Sequence, residues 1–288
     1  MVARRYVHTE ATSKLALWAR RIAAFAFVAT ILAIIIVRSG LLEIQPALAT
    51  FAGALALAVI ALLVAIAAFG VIWMDGLGGM GAALTAMLVS LALLAYPAYL
   101  GVKAKRLPWI YDITTDPIDA PRYEALARLR PRDANPVVYA GLYAAEQQRQ
   151  AYPDIGPLGI NTSPQNAYDA ALAVINKRRW RVVDARPPQA GRREGHIEAV
   201  ARTAIMGFRD DVVVRVRPEP DGARIDARSS SRYGSFDFGA NADRIRRLMN
   251  DIEEAVKAQA LKPERPATTP GAKKKALTVS KKDQSKRN

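Results

Sequence analysis

Residues 211–232 read DVVVRVRPEPDGARIDARSSSR. Apolar and polar residues alternate from Asp211 to Arg217 and again from Ala223 to Arg232, the period of a half-buried strand. Pro220-Asp221-Gly222 between them supplies turn residues, so the stretch predicts an antiparallel hairpin. The alternation also allots the faces. Val212, Val214 and Val216 share one with Ala223, Ile225, Ala227 and Ser229, while Arg215, Arg217, Arg224, Asp226, Arg228, Ser230 and Arg232 point the other way.

The apolar face needs a cover, and the flanking sequence offers two helices. Ser163-Pro164 has the form of an N-cap followed by proline at the first helical position, with Tyr168, Ala171, Leu172 and Ile175 at helical spacing behind it. Asn241 is read as the cap of a last helix carrying Ile245, Leu248, Met249, Ile252 and Val256. Trp180 to Ala185 and Glu194 to Phe208 read as two more strands. The expected domain, residues 161–261, is therefore α+β, with two helices packed on a four-stranded antiparallel meander. Residues 103–160 are rich in proline and turn signals and read as a membrane-proximal connecting segment with a helix from Val137 to Gln150. Residues 262–288 hold almost nothing apolar and read as a disordered lysine-rich tail.

Upstream of Lys103 the composition changes class. Ile22 to Val37, Ile44 to Met74 and Gly76 to Val102 contain no charged residue, and a helix needs about 20 apolar residues to cross a bilayer. Residues 22–102 thus read as three transmembrane helices behind a basic segment, 1–21. The first extends back to Trp18 because Ile22 to Val37 alone would span only about 24 Å. Asp75 and the glycines after it form the second turn. A cleaved signal peptide is the competing reading of the first span. Ala47-Leu48-Ala49, however, runs directly into another apolar stretch. Ala54, Ala58, Ala61 and Ala65 have the spacing of a close helix contact, which carries little weight in so alanine-rich a sequence. The uncharged stretches hold no Asp, Glu, Lys, Arg or His, which argues against transport.

The net charge of +15 lies at the ends of the chain: residues 1–21 contribute +4, Lys103 to Arg106 +3 and the tail +7. Residues 107–261 are nearly neutral, so nucleic acid is not an expected partner. Cysteine is absent, which removes thiolate chemistry and cysteine-held metals.

Chemistry-bearing residues gather on and after the last strand. Arg228, Ser230 and Arg232, followed by Asp237, Asn241 and Arg244, would place guanidinium groups beside hydroxyls and a helix N-terminus, a combination suited to phosphate or carboxylate. The alternative is that the arginines pair internally with Asp210, Asp211, Asp226 or Asp237. His196 and Glu198 share a strand face and could ligate a metal or serve a hydroxyl of Ser229–Ser231, but no G-x-S-x-G turn is present. No catalytic residue, metal or cofactor is assigned.

Thr203-Ala-Ile-Met-Gly-Phe208-Arg-Asp-Asp211 and Arg228-Ser-Ser-Ser-Arg232-Tyr-Gly234-Ser-Phe-Asp237-Phe-Gly239-Ala-Asn241-Ala-Asp-Arg244-Ile245, with the earlier Asp112-Ile-Thr-Thr-Asp-Pro117 and Tyr152-Pro-Asp-Ile-Gly-Pro157, resemble the domain of unknown function 1499 family over residues 110–258. The resemblance implies an envelope-type protein and no particular activity. The expectation is a membrane-anchored, non-enzymatic binding or scaffolding protein, with the lipid bilayer and an anionic envelope component or membrane protein as partners. A hydrolase using Ser229–Ser231 with His196 is the alternative. The resemblance implies a bacterial inner or plasma membrane, and the basic N-terminal segment favours a soluble domain that is periplasmic or external.

Overall fold

A computed structural model describes residues 11–40, 44–189 and 194–260. The first ten residues and the lysine-rich tail lie outside the described residues. Three helices come first: α1 (Lys14–Ser39), α2 (Ile44–Asp75) and α3 (Met80–Ala104). All three are long and apolar enough to cross a membrane, with mean hydropathies of 2.4, 3.0 and 1.8. Ser13 caps α1 by accepting from the Ala16 amide, and Gly40 ends it in the left-handed region. The turn between α2 and α3 is tied to the start of the chain by the Ser13 amide on the Gly78 carbonyl and the Gly78 amide on the Ala11 carbonyl.

The bundle interior is built from alanine. Ala19, Ala23, Ala61, Ala65 and Ala86 form one cluster, and Ala16, Ala68, Ile72, Ala82 and Ala83 another. Phe25, Leu32, Ile35, Leu63, Ile66, Leu88 and Leu91 face outward. That sorting is the reverse of a water-soluble core. It suits lipid, where large apolar side chains gain nothing by turning inward and small ones let backbones approach. The alanines of α2 spaced four, three and four apart are therefore the packing seam itself: Ala54, Ala58, Ala61 and Ala65 are all buried.

The remainder of the chain forms β1 (Asp112–Thr114), α4 (Ala125–Leu129), α5 (Gly141–Ala151), β2 (Leu158–Ile160), α6 (Pro164–Lys177), β3 (Arg181–Arg186), β4 (Gly195–Arg202), β5 (Arg209–Glu219), β6 (Gly222–Ser231) and α7 (Ala240–Ala260). The sheet runs β1-β6-β5-β4-β3, antiparallel throughout, and β2 pairs with β6 beyond β1. It therefore has six strands, where the alternation predicts four. The two extra strands come from the segment expected to be only a connection. Each is three residues long, too short to show a period, and each exists because β6 offers a free edge.

The hairpin is as the alternation predicts, with Val212 opposite Ser229, Val214 opposite Ala227 and Val216 opposite Ile225. Gly222 sits at its turn with φ 141, where a Cβ would come 2.3 Å from the Ile160 carbonyl oxygen at the end of β2. The main core joins this apolar face to Ala167, Ala171 and Ile175 of α6 and to Ile245, Leu248 and Ile252 of α7. Ser163 caps α6 through the Asn166 amide.

β4 stops at Arg202, six residues before the predicted strand end at Phe208. The Thr203 hydroxyl accepts from the Phe208 amide, the Gly207 amide donates to the Thr203 carbonyl, and residues 203–208 form a loop. This loop rests on the last turn of α1, where Arg38 donates to the carbonyls of Ala204 at 2.7 Å and Ile205 at 2.9 Å. A second tie joins Lys103 near the end of α3 to Asp243 of α7 at 3.6 Å.

Enlarging the helix seam should loosen the bundle. Ala61→Leu adds three carbons at a fully buried position and should cost about 1–3 kcal/mol. Leu63→Ala, at an outward position, should leave the melting temperature in detergent close to the parent. Equal effects of the two would remove the alanine seam as the packing surface.

Candidate functional site

The face of β4–β6 turned away from α6 and α7 carries the charge, and residues 110–139 lie across it as a strap. Arg228 is 2% exposed. Its guanidinium donates to both carboxylate oxygens of Asp112 at 2.9 and 2.6 Å and to the carbonyls of Pro121 and Val137. The rings of Tyr123 and Tyr139 lie 4.7 and 5.5 Å from it. Burial raises the Asp112 carboxyl above the usual carboxylate range, although the hydrogen bonds and charge of Arg228 pull the other way. Asp211 is held between Arg130 at 2.8 Å and Arg232 at 2.7 Å. At the far end of the hairpin Arg215, Arg217 and Arg224 share Asp116 and Asp226. Ser230 is buried, and its hydroxyl makes no hydrogen bond among the described residues.

Glu198 acts as a helix cap from a distance. Its oxygens accept from the amides of Glu124, Ala125 and Leu126, the start of α4, and from His196 at 2.9 Å. Burial alone would raise this carboxyl. The His196 hydrogen bond and the three amides hold it below its ordinary value. Asp184 completes a group with His196 and Glu198 whose ligand atoms lie within 4.8 Å of one another. Asp184 also accepts from Arg186, so an ion there would have to displace hydrogen bonds that the strap and β3 depend on.

The structure divides the six candidate residues between the two sides of β6. Arg228, Ser230 and Arg232 face the strap. Asp237, Asn241 and Arg244 belong with Ser229 and Ser231 on the helix side. There Ser229 donates to the Asn241 side-chain oxygen at 2.7 Å, and the Asn241 amide donates to the Ser231 hydroxyl and the Tyr111 carbonyl. Arg244 bridges Asn241 and Asp210. Asp237, not Asn241, caps α7, accepting from the amides of Gly239 and Asn241 at 2.8 and 2.9 Å. Asn241 is instead turned inward against β6.

The same register separates serine from histidine. Ser230 lies opposite Asp211 and, one strand on, Val200, whereas His196 lies opposite Arg215. Four residues along β4 is about 13 Å, and a nucleophile and its base need hydrogen-bond contact. Ser229 and Ser231 point to the opposite face.

After α6, Arg178, Arg179, Trp180 and Arg181 line a cavity of about 230 Å³ together with Val200, Arg202 and Arg209. No carboxylate lines it. Arg202 and Arg209 face each other directly across β4 and β5, a like-charge pair that opposes sheet formation. Arg179 has φ 56, an uncommon conformation for a residue other than glycine. Arg178 is paired with Asp251, but the side chains of Arg179, Arg181 and Arg209 make no ion pair or hydrogen bond among the described residues. Burial, and then the charges of Arg202, Arg232 and Arg181, push the Arg209 guanidinium below its usual value. The signal was in the sequence, four basic residues in five positions, but their meeting with Arg202 and Arg209 needed the strand register.

Fold and side chains together define a three-helix apolar anchor carrying an α+β domain with one charged face sealed from within and one open basic cavity. Residues 112–252 match the family model described as Protein of unknown function (DUF1499). No curated protein matches the chain.

Two measurements check the internal reading of the charged face. Asp112→Asn leaves Arg228 buried without its counter-charge and should cost about 3–5 kcal/mol in urea unfolding, whereas Asp112→Leu with Arg228→Met should cost much less. Because Glu198 titrates below its unfolded value, its contribution is present above that value and is lost as pH falls through the lower, folded one. Unfolding of the parent should therefore steepen with acid below about pH 4.5, and Glu198→Gln should flatten that limb.

Proposed function

We propose that this is a membrane-anchored, non-enzymatic binding module of the cell envelope, and that its ligand is an anion held by Arg179, Arg181, Arg202 and Arg209. The observation that carries the reading is the cavity wall itself: Arg179, Arg181, Arg202 and Arg209 line it, two of them directly opposed, and none of these four pairs with a carboxylate among the described residues. A fold that tolerates such repulsion is completed by a ligand of opposite sign, and planar guanidinium groups suit phosphate or carboxylate oxygens. Of the residues first singled out, Arg228 and Arg232 pair beneath residues 110–139 or with β5, and Asp237, Asn241 and Arg244 hold α7 against the sheet, so they frame the domain that presents the cavity.

If α1, α2 and α3 all cross, the amino terminus and the domain lie on opposite sides of the bilayer. The basic residues Arg4, Arg5, Lys14, Arg20 and Arg21 favour a cytoplasmic start. On that reading the domain faces the outside of a bacterial inner membrane, where anionic envelope components and other membrane proteins are its available partners.

Pyrophosphate added to the detergent-solubilised chain should raise its melting temperature, since a ligand that binds only the folded state stabilises it. Arg181→Gln with Arg209→Gln should abolish that shift. The same double variant without ligand should melt no lower than the parent, because relief of like-charge opposition is worth roughly 0.2–1 kcal/mol. Equal pyrophosphate shifts in parent and variant would overturn the assignment.

A further inference from the structure

We infer that the anion is the phosphate of a bilayer lipid in the leaflet at the domain end of the anchor, an inference that rests on the anion reading just given. The cavity adjoins the end of a membrane helix. Arg202 donates to the Arg38 carbonyl at 3.3 Å, and a Cβ on Gly40 would meet the Arg209 guanidinium at 3.0 Å. Arg38 is the first charged residue after the uncharged run of α1, so this is the depth at which hydrocarbon gives way to headgroups.

Neighbouring features agree on that depth. The loop held by Arg38 exposes Ile205. At the other end of the domain floor Trp109 stacks on Phe236 at 5.1 Å and Phe236 meets Phe238 at 4.5 Å, and Trp109 is 71% exposed five residues beyond α3. Exposed aromatic rings beside a span end favour the headgroup region. The Lys103–Asp243 contact holds this corner, as Arg38 holds the other. With the floor fixed at both corners, the guanidinium groups lie beside the leaflet. A lipid seated by its phosphate could run its acyl chains along the outward side chains Ile31, Leu32 and Ile35 of α1.

The chain should be purified in mild detergent, washed free of loosely held lipid and extracted for phospholipid phosphorus. The parent should retain phospholipid that Arg181→Gln with Arg209→Gln loses severalfold. In parallel, the parent reconstituted with a phospholipid bearing a photoactivatable headgroup should give crosslinks in the peptides around residues 178–181 and 200–209. Crosslinks confined to α1–α3, or equal retention by parent and variant, would overturn the lipid assignment. Absence of retained lipid with the pyrophosphate shift intact would leave the anion site standing and make its ligand soluble. Loss of both would remove the anion site as well. The crosslinking arm uses the parent alone and decides the matter even if the double variant does not fold.

Discussion

A charged sheet face that is also buried has to carry its own counter-ions, and this constraint shapes the soluble half of the chain. Arg228 has little access to water, so Asp112, two carbonyls and two aromatic rings surround it. Leaving any such group unpaired in a low-dielectric setting costs more than the pair contributes. The strap is consequently part of the fold. It supplies Asp112, Asp116, Arg130 and the start of α4, and each has a fixed partner on β4, β5 or β6. Every such pair adds a long-range register constraint, fixing where residues 110–139 cross the sheet.

Periodicity made the central hairpin and both covering helices legible, because residues 212–216 (Val213 apart) and 223–229 alternate and α6 and α7 bury one stripe each. It failed for β1 and β2. Three residues cannot display a period of two, and their strand character comes from the edge of β6 rather than from their own composition. The alanine seam was discounted for a different reason. In lipid the sorting signal is size, not polarity, and a small residue carries no sign in sequence of which side it faces.

The candidate site was legible in composition and obscure in placement. Alternation correctly set Arg228, Ser230 and Arg232 on one face, but the strand pattern could not reveal that residues 237–244 return on the other. Nor could it show that the partner of Arg228 lies 116 residues earlier in the chain. Proximity across such a distance is decided by which edge of the sheet the strap joins. The same reasoning explains why the basic cavity escaped notice: residues 178–181 meet Arg202 and Arg209 only because β3 and β5 flank β4.

The two arginine populations thus differ in what they ask of their surroundings. Those under the strap are neutralised within the chain and gain nothing from solvent or ligand. Those in the cavity repel one another, and neighbouring carboxylates that would relieve them, such as Asp210 and Asp211, are already committed to Arg244, Arg130 and Arg232. Asp210 sits next to Arg209 in sequence, yet strand geometry turns it to the α7 side. The chain therefore has carboxylates within one residue of the cavity and directs them elsewhere. A purely structural role for Arg209 would be better served by letting one of them face it, which supports the proposed anion ligand.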